Sequence, residues 1–141
     1  MKVIAKNRRA NFDYDINKKY VVGIVLSGQE VKSVRTGGTT LKGSYVTVTK
    51  DNELNLLNAH IPLYKFATDD NYEPTHSRKL LAKKREIEEI KKLKKEGNTV
   101  VPLAIGLQGK YIKLEIGAGR GKKRYDKRHD IKKRDLDRRG D

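Results

Sequence analysis

The order of apolar and polar positions divides the chain into short runs of two kinds. Residues 19–26 (KYVVGIVL) are rich in β-branched side chains and almost continuously apolar. That is the pattern of a buried strand, with Gly23 a bulge or a point of close approach. Ser27 and Glu30 follow at the spacing of a capping box, in which hydroxyl and carboxylate satisfy the first free amides of a helix. The helix predicted there covers residues 28–36, turns Val31 and Val34 inward and stops at Gly37-Gly38. Residues 44–50 alternate strictly, Tyr45, Thr47 and Thr49 against Val46 and Val48, and residues 53–60 again read as strand. Asp51-Asn52 between them predicts a β-hairpin.

A second helix is predicted between Pro74-Thr75 and Gly97, where Leu80 (or Leu81), Ile87, Ile90 and Leu93 form one apolar stripe over about five turns. Residues 99–105 and 110–116 predict another strand pair bridged by residues 106–109, and Pro102 in the first demands an edge position or a bulge. Residues 12–16 offer one further strand. The resulting order, β–α–ββ–α–ββ, lacks the helical crossovers that parallel strands need. The expected fold class is therefore α+β, mainly β. It is refined to a small closed barrel of OB type with about five to six antiparallel strands and two or three flanking helices.

Length and charge then narrow the function. One hundred and forty-one residues at 16.1 kDa suit one domain, and charged residues (36%) outnumber hydrophobic ones (35%). A formal charge of +15 points to a polyanionic partner. No apolar run approaches the ~18 residues of a membrane-spanning helix, and residues 1–6 lack the apolar segment of a secretory signal. A cytoplasmic protein is expected. With no cysteine, disulfides, thiolate metal sites and thiol nucleophiles are excluded.

The charge is unevenly spread. Residues 117–141 hold eleven Lys or Arg against five Asp, with Tyr125, Ile131 and Leu136 as the sizeable apolar side chains. Three such residues cannot offset the entropy of ordering the segment, so a basic tail disordered when free is expected. The boundary falls at Gly117, Gly119 and Gly121, read as a hinge, giving a body of residues 1–116 and a tail of residues 117–141. Asp130 with Arg134 and Asp135 with Arg139 are spaced to pair along a helix, so the tail can fold on binding.

Catalytic chemistry finds no foothold. His60, His76 and His129 are scattered without accompanying carboxylate clusters and read as solvated or locally hydrogen-bonded. The glycines of residues 117–123 lack the spacing of a phosphate-binding loop. No enzyme activity, cofactor or metal is expected. Lys91, Lys92, Lys94 and Lys95 read as the solvated face of the long helix. For Asn7-Arg8-Arg9-Ala10-Asn11, composition leaves RNA contact and mere solubility equally open. Tyr125 lies among Lys122, Lys123, Arg124, Asp126, Lys127 and Arg128, where a ring without a core to join can stack on a base.

Several segments in order resemble one family. They are Asn7-Arg8-Arg9-Ala10, residues 23–37 (GIVLSGQEVKSVRTG), Arg78-Lys79-Leu80-Leu81, residues 99–103 (TVVPL) and residues 121–128 (GKKRYDKR). Together they are similar to small protein B, the tmRNA-binding (SsrA-binding) proteins of bacterial trans-translation. The resemblance implies an OB-fold body that binds the tRNA-like domain of transfer-messenger RNA. It further implies a monomeric adaptor that travels with elongation factor Tu and GTP to stalled ribosomes. There it meets the small ribosomal subunit and its ribosomal RNA, and its tail enters the decoding centre and the empty mRNA channel, becoming helical.

By motif, Asn7 and Leu81 match RNA-contacting positions, and Arg8, Arg9, Lys32, Arg35, Arg78 and Lys79 lie in the matching segments. Lys122, Lys123, Arg124, Tyr125, Asp126, Lys127, Arg128, Lys132, Lys133 and Arg134 are implied as the ribosome-facing tail. Two positions depart from the family pattern: Ala82 where a third leucine is usual, and Val21 where a carboxylate often stands. The rival reading is a general single-stranded RNA-binding or ribosome-associated OB protein.

Overall fold

The computed structural model describes residues 1–122, and every expectation for residues 123–141, His129 included, lies outside the described residues. The elements are β1 (Lys2–Lys6), α1 (Arg8–Asp13), β2 (Tyr14–Ile24), α2 (Gly28–Thr36), β3 (Tyr45–Val48), β4 (Leu54–Leu57), β5 (Arg78–Leu81), α3 (Lys84–Lys95), β6 (Thr99–Gln108) and β7 (Tyr111–Gly121). All seven strands join one antiparallel sheet in the order β1-β6-β7-β2-β5-β4-β3. No helix among the described residues is long and apolar enough to cross a membrane.

The expected closed barrel is corrected to an open sheet of seven strands. Closure needs the two edge strands to pair, and among the described residues no ladder joins β1 to β3. β3 has four residues, pairs with β4 alone and packs against β6 without a ladder. The expected five-turn helix is also corrected. Residues 78–81 form β5, and α3 starts only at Lys84. The leucines that fit a helical stripe instead alternate across the pleat: Arg78 and Leu80 face in, Lys79 and Leu81 face out.

Elsewhere local chemistry gives what its pattern demands. In α2 the Ser27 hydroxyl accepts from the Glu30 amide while the Glu30 carboxylate accepts from the Ser27 amide, closing the capping box. Asn52 takes a positive φ of 59° in the β3–β4 turn. β6 is an interior strand, and its register shifts between Pro102 and Ala104, so the proline sits at a bulge where no ladder amide is needed.

The glycines expected as a hinge belong to β7. Gly117 pairs with Lys19, Gly119 with Ile16 and Gly121 with Tyr14. A Cβ on Gly119 would lie 2.2 Å from the Asp15 carbonyl oxygen, so glycine here permits close approach rather than bending. The ladder thus carries the body past residue 116, and the Lys122 amide still donates to the Asp13 carbonyl at 2.8 Å.

One face of the sheet builds the core from Tyr20, Val22, Ile24, Leu54, Leu56, Leu80, Ile105, Leu114 and Ile116, closed by Val34 of α2 and Ile90 of α3. α1, which the sequence pattern missed, covers the other side of β6 by packing Ala10 against Val101 and Leu103. On the face opposite the core, Val21 of β2 and Lys79 and Leu81 of β5 are exposed.

Candidate nucleic-acid interface

The residues expected to bind RNA divide into anchors and surface. Arg78 is the deepest anchor. Its side chain is buried, and each guanidinium N–H has a partner. Nε donates to Glu30 Oε2 (2.9 Å), Nη1 to the Ala59 and His76 carbonyls (2.9 and 3.1 Å), and Nη2 to Tyr72 Oη and the Pro74 carbonyl (3.1 and 2.8 Å). With all its donors used, Arg78 has none left for a phosphate, so direct RNA contact by this residue is corrected to a scaffolding part. A sequence motif cannot distinguish the two, because both need the same guanidinium.

Glu30 completes the anchor. Burial alone would raise its carboxyl pKa. Hydrogen bonds from the Ser27 amide, Arg78 and His76, with the Arg78 charge, override that and hold it down at about 2. His76 Nε2 lies 2.9 Å from the same oxygen, so this histidine is tied to α2 rather than simply solvated. The cluster fastens the segment between β4 and β5 onto α2. Among the described residues no group of His, Cys, Asp and Glu could hold a metal.

Asn7 is likewise buried, donating its side-chain amide to the Pro102 carbonyl at 2.9 Å and the Leu41 carbonyl at 3.3 Å. It ties β1 to β6 beside a cleft of about 320 Å³ that Arg9, Lys94 and Asn98 also line. Arg8 and Arg9 are exposed on α1, Arg9 pairing with Asp13 at 3.1 Å and stacking over Phe12 at 4.7 Å from its centroid.

The remaining expected residues form a connected surface. Leu81 is 54% exposed on β5, with Lys79 two residues away on the same face. Lys79 reaches Glu53 at 3.0 Å, an exposed pair that holds little energy. Gly23 of β2 lies opposite both Leu81 and Lys113 of β7, and a Cβ there would meet Leu81 Cβ at 3.1 Å. Its bare backbone keeps Leu81 in place without covering it. Two residues before Lys113, Tyr111 is 63% exposed beneath the Lys110 ammonium. The Arg35 guanidinium donates to the Lys110 carbonyl at 3.2 Å, which joins α2 and Lys32 to the same belt.

Sequence reasoning missed Tyr111. The signal was present, an aromatic between lysines in Gly109-Lys110-Tyr111-Ile112-Lys113, the same kind of signal that singled out Tyr125. Val21 is 45% exposed on this face with Glu115 directly opposite on β7. A carboxylate is therefore present one strand away from the position where the family pattern often has one. Lys122 donates through Nζ to the Asn11 carbonyl at 2.9 Å, and the other expected tail residues lie outside the described ones.

An exposed leucine and an exposed tyrosine beside Lys79 and Lys113 on one sheet face, with Lys32 and Arg35 of α2 joined at the β6–β7 turn, define a basic nucleic-acid-binding module. The model of the SmpB protein family matches residues 4–141, and the chain belongs to that family. Its relatives include the SsrA-binding proteins of Oceanobacillus iheyensis (44% identity, covering 97% of this chain and 92% of the relative) and Fervidobacterium nodosum (48%, 99% and 94%). That of Chloroflexus aggregans is 48% identical over 96% of this chain and 87% of its own. Among solved structures, a chain described as "tmRNA-SmpB: a journey to the center of the bacterial ribosome" superposes with a TM-score of 0.70 at 40% identity, covering 85% of each chain.

Proposed function

We propose that this protein is the RNA-binding adaptor of trans-translation. Its body recognises the tRNA-like domain of transfer-messenger RNA, and residues beyond Lys122 act on the stalled ribosome. The observation that carries the reading is the family match over residues 4–141, which takes in the Leu81 belt and the basic segment after β7. The relatives' shared name, SsrA-binding protein, supports the RNA partner, and the ribosomal setting of the structural neighbour supports the site of action.

The finer reading has several parts. The body works as a monomer in the cytoplasm, without enzymatic activity of its own, and is delivered as a complex with elongation factor Tu and GTP. The sheet is an open derivative of the OB barrel, with β3 leaning on β6 where a closed barrel would have a ladder. Leu81, Lys79, Lys113, Lys32 and Arg35 meet the RNA, while Asn7 and Arg78 hold those elements in place. Arg8 and Arg9 add phosphate contacts at the α1 corner. Lys123, Arg124, Tyr125, Asp126, Lys127, Arg128, Lys132, Lys133 and Arg134 serve the decoding centre and mRNA channel.

Truncation after Lys122 tests this division, because β7 and its last hydrogen bond to Asp13 stay intact. Affinity for transfer-messenger RNA should persist while peptide tagging on stalled ribosomes is lost. Equal loss of both would overturn the assignment. Competition by unstructured RNA at matched salt separates the rival general RNA binder, for which it would compete as well as the folded RNA.

A further inference from the structure

One exposed aromatic pair has no part in the function above. Tyr64 and Phe66 lie in the segment between β4 and β5, their rings meeting edge to face with centroids 5.5 Å apart. Phe66 is 75% exposed, more than any other large hydrophobic side chain among the described residues. A single surface phenylalanine needs no explanation. Three features separate this pair from that ordinary case.

The first is charge. Lys65 Nζ sits 4.9 Å from the Phe66 centroid and Lys32 Nζ 5.8 Å from that of Tyr64. The second is rigidity. The Tyr64 amide donates to Gln29 Oε1 at 2.9 Å, the Ala67 amide donates to the Tyr64 carbonyl at 2.8 Å, and the Ser33 hydroxyl donates to the Pro62 carbonyl. The backbone that carries the rings is thus tied to α2 before any partner arrives, which lowers the entropy lost on binding. The third is the direction of the one acid on α2. Glu30 is turned inward to Arg78, so the helix presents Lys32 and Arg35 outward with no carboxylate between them. The next acids along the segment are Asp69 and Asp70. The Asp69 carboxylate caps its own turn by accepting from the Asn71 amide.

An exposed aromatic ring with a cation over one face fits an unpaired nucleotide, whose base can stack on the other face and whose phosphate offers charge. Lysines, by contrast, are depleted from protein–protein interfaces. We propose that Tyr64 and Phe66, flanked by Lys32 and Lys65, form a stacking platform for an unpaired nucleobase of the bound RNA. The proposal rests on the RNA-binding reading above and places a further contact at the far end of the α2 belt from Tyr111.

The test is equilibrium binding of the tRNA-like domain of transfer-messenger RNA to the full chain and to Phe66→Leu and Phe66→Trp. Leucine keeps apolar area but has no π-face, whereas tryptophan keeps the face. Loss of one stacked base should weaken binding by Phe66→Leu about 5- to 150-fold and leave Phe66→Trp close to the parent. Circular dichroism of each variant should be unchanged, because the side chain lies outside the core. If the parent binds and Phe66→Leu binds equally well, the platform is overturned and the adaptor reading stands. Equal weakening by leucine and tryptophan also overturns stacking, since it reads shape alone. Failure of the parent itself to bind would overturn the adaptor reading beneath. Unchanged RNA affinity with lost association to a protein partner would give the cluster a protein occupant and end the proposal.

Discussion

Replacing Glu30 with glutamine isolates the buried anchor between α2 and β5. The carboxylate is 3% exposed and shares one oxygen between Arg78 and His76, while the other accepts from the Ser27 amide. Its pKa is held at about 2 against an ordinary 4.5. That difference is worth about 3 kcal/mol to the folded state. The variant Glu30→Gln keeps the size and a hydrogen-bonding oxygen but leaves the Arg78 guanidinium buried without its counter-charge, at a cost of about 3–5 kcal/mol. Between the two pKa values the folded state binds fewer protons than the unfolded chain, so stability rises with pH through that window. The contribution is whole above about pH 4.5 and disappears as the pH falls toward about 2.

Urea denaturation of both proteins from neutral pH downward provides the assay, and the difference between them cancels the other carboxylates. The gap should be several kcal/mol at neutral pH and close progressively below about pH 4.5. A gap under about 1 kcal/mol, or one independent of pH, would refute the reasoning. The paired variant Glu30→Gln with Arg78→Met should recover part of the loss, because a lone buried charge is worse than none.

Leu81→Ala should change folding stability by no more than about 0.5 kcal/mol in urea melts, since the side chain is solvent-exposed. It should weaken transfer-messenger RNA binding about tenfold through lost apolar burial; unchanged affinity would remove Leu81 from the interface. Gly119→Ala should lower stability by about 1–3 kcal/mol, read as a drop in Tm, because the new methyl meets the Asp15 carbonyl. Val21→Glu sets a second carboxylate directly across the ladder from Glu115 and should cost about 0.2–1 kcal/mol, which low salt should enlarge. Stabilisation by that change would contradict the facing arrangement.

Local patterns reached far along this chain where one interaction decides the element. The Ser27–Glu30 box set the start of α2, and Asp51-Asn52 set a hairpin, because both act within a few residues. Residues 78–81 failed for a physical reason: over four residues, Leu80 and Leu81 fit a helical stripe and a pleat equally well. What decides is Arg78, whose partners on Glu30 and Ala59 lie 48 and 19 residues away. The glycines of β7 misled similarly, since a hinge and a close backbone approach both call for a missing Cβ, and only the pairing with β2 separates them. At the candidate interface, the motif singled out residues 78–81 but could not say which of them point outward. Alternation across β5 does, leaving Lys79 and Leu81 outside and turning Arg78 into their support.

An open sheet leaves two strands whose free edges could recruit a strand from another copy. β1 carries lysines at both ends, Lys2 and Lys6, so a second copy approaching that edge would meet like charge before hydrogen bonds formed. β3 is four residues long and leans on β6, offering too short a template for lasting strand addition. The cations along α2 and β7 thus have counterparts on β1 that repel a second copy of the same edge. On a chain carrying +15, the two free edges are guarded differently, one by like charge and the other by its shortness.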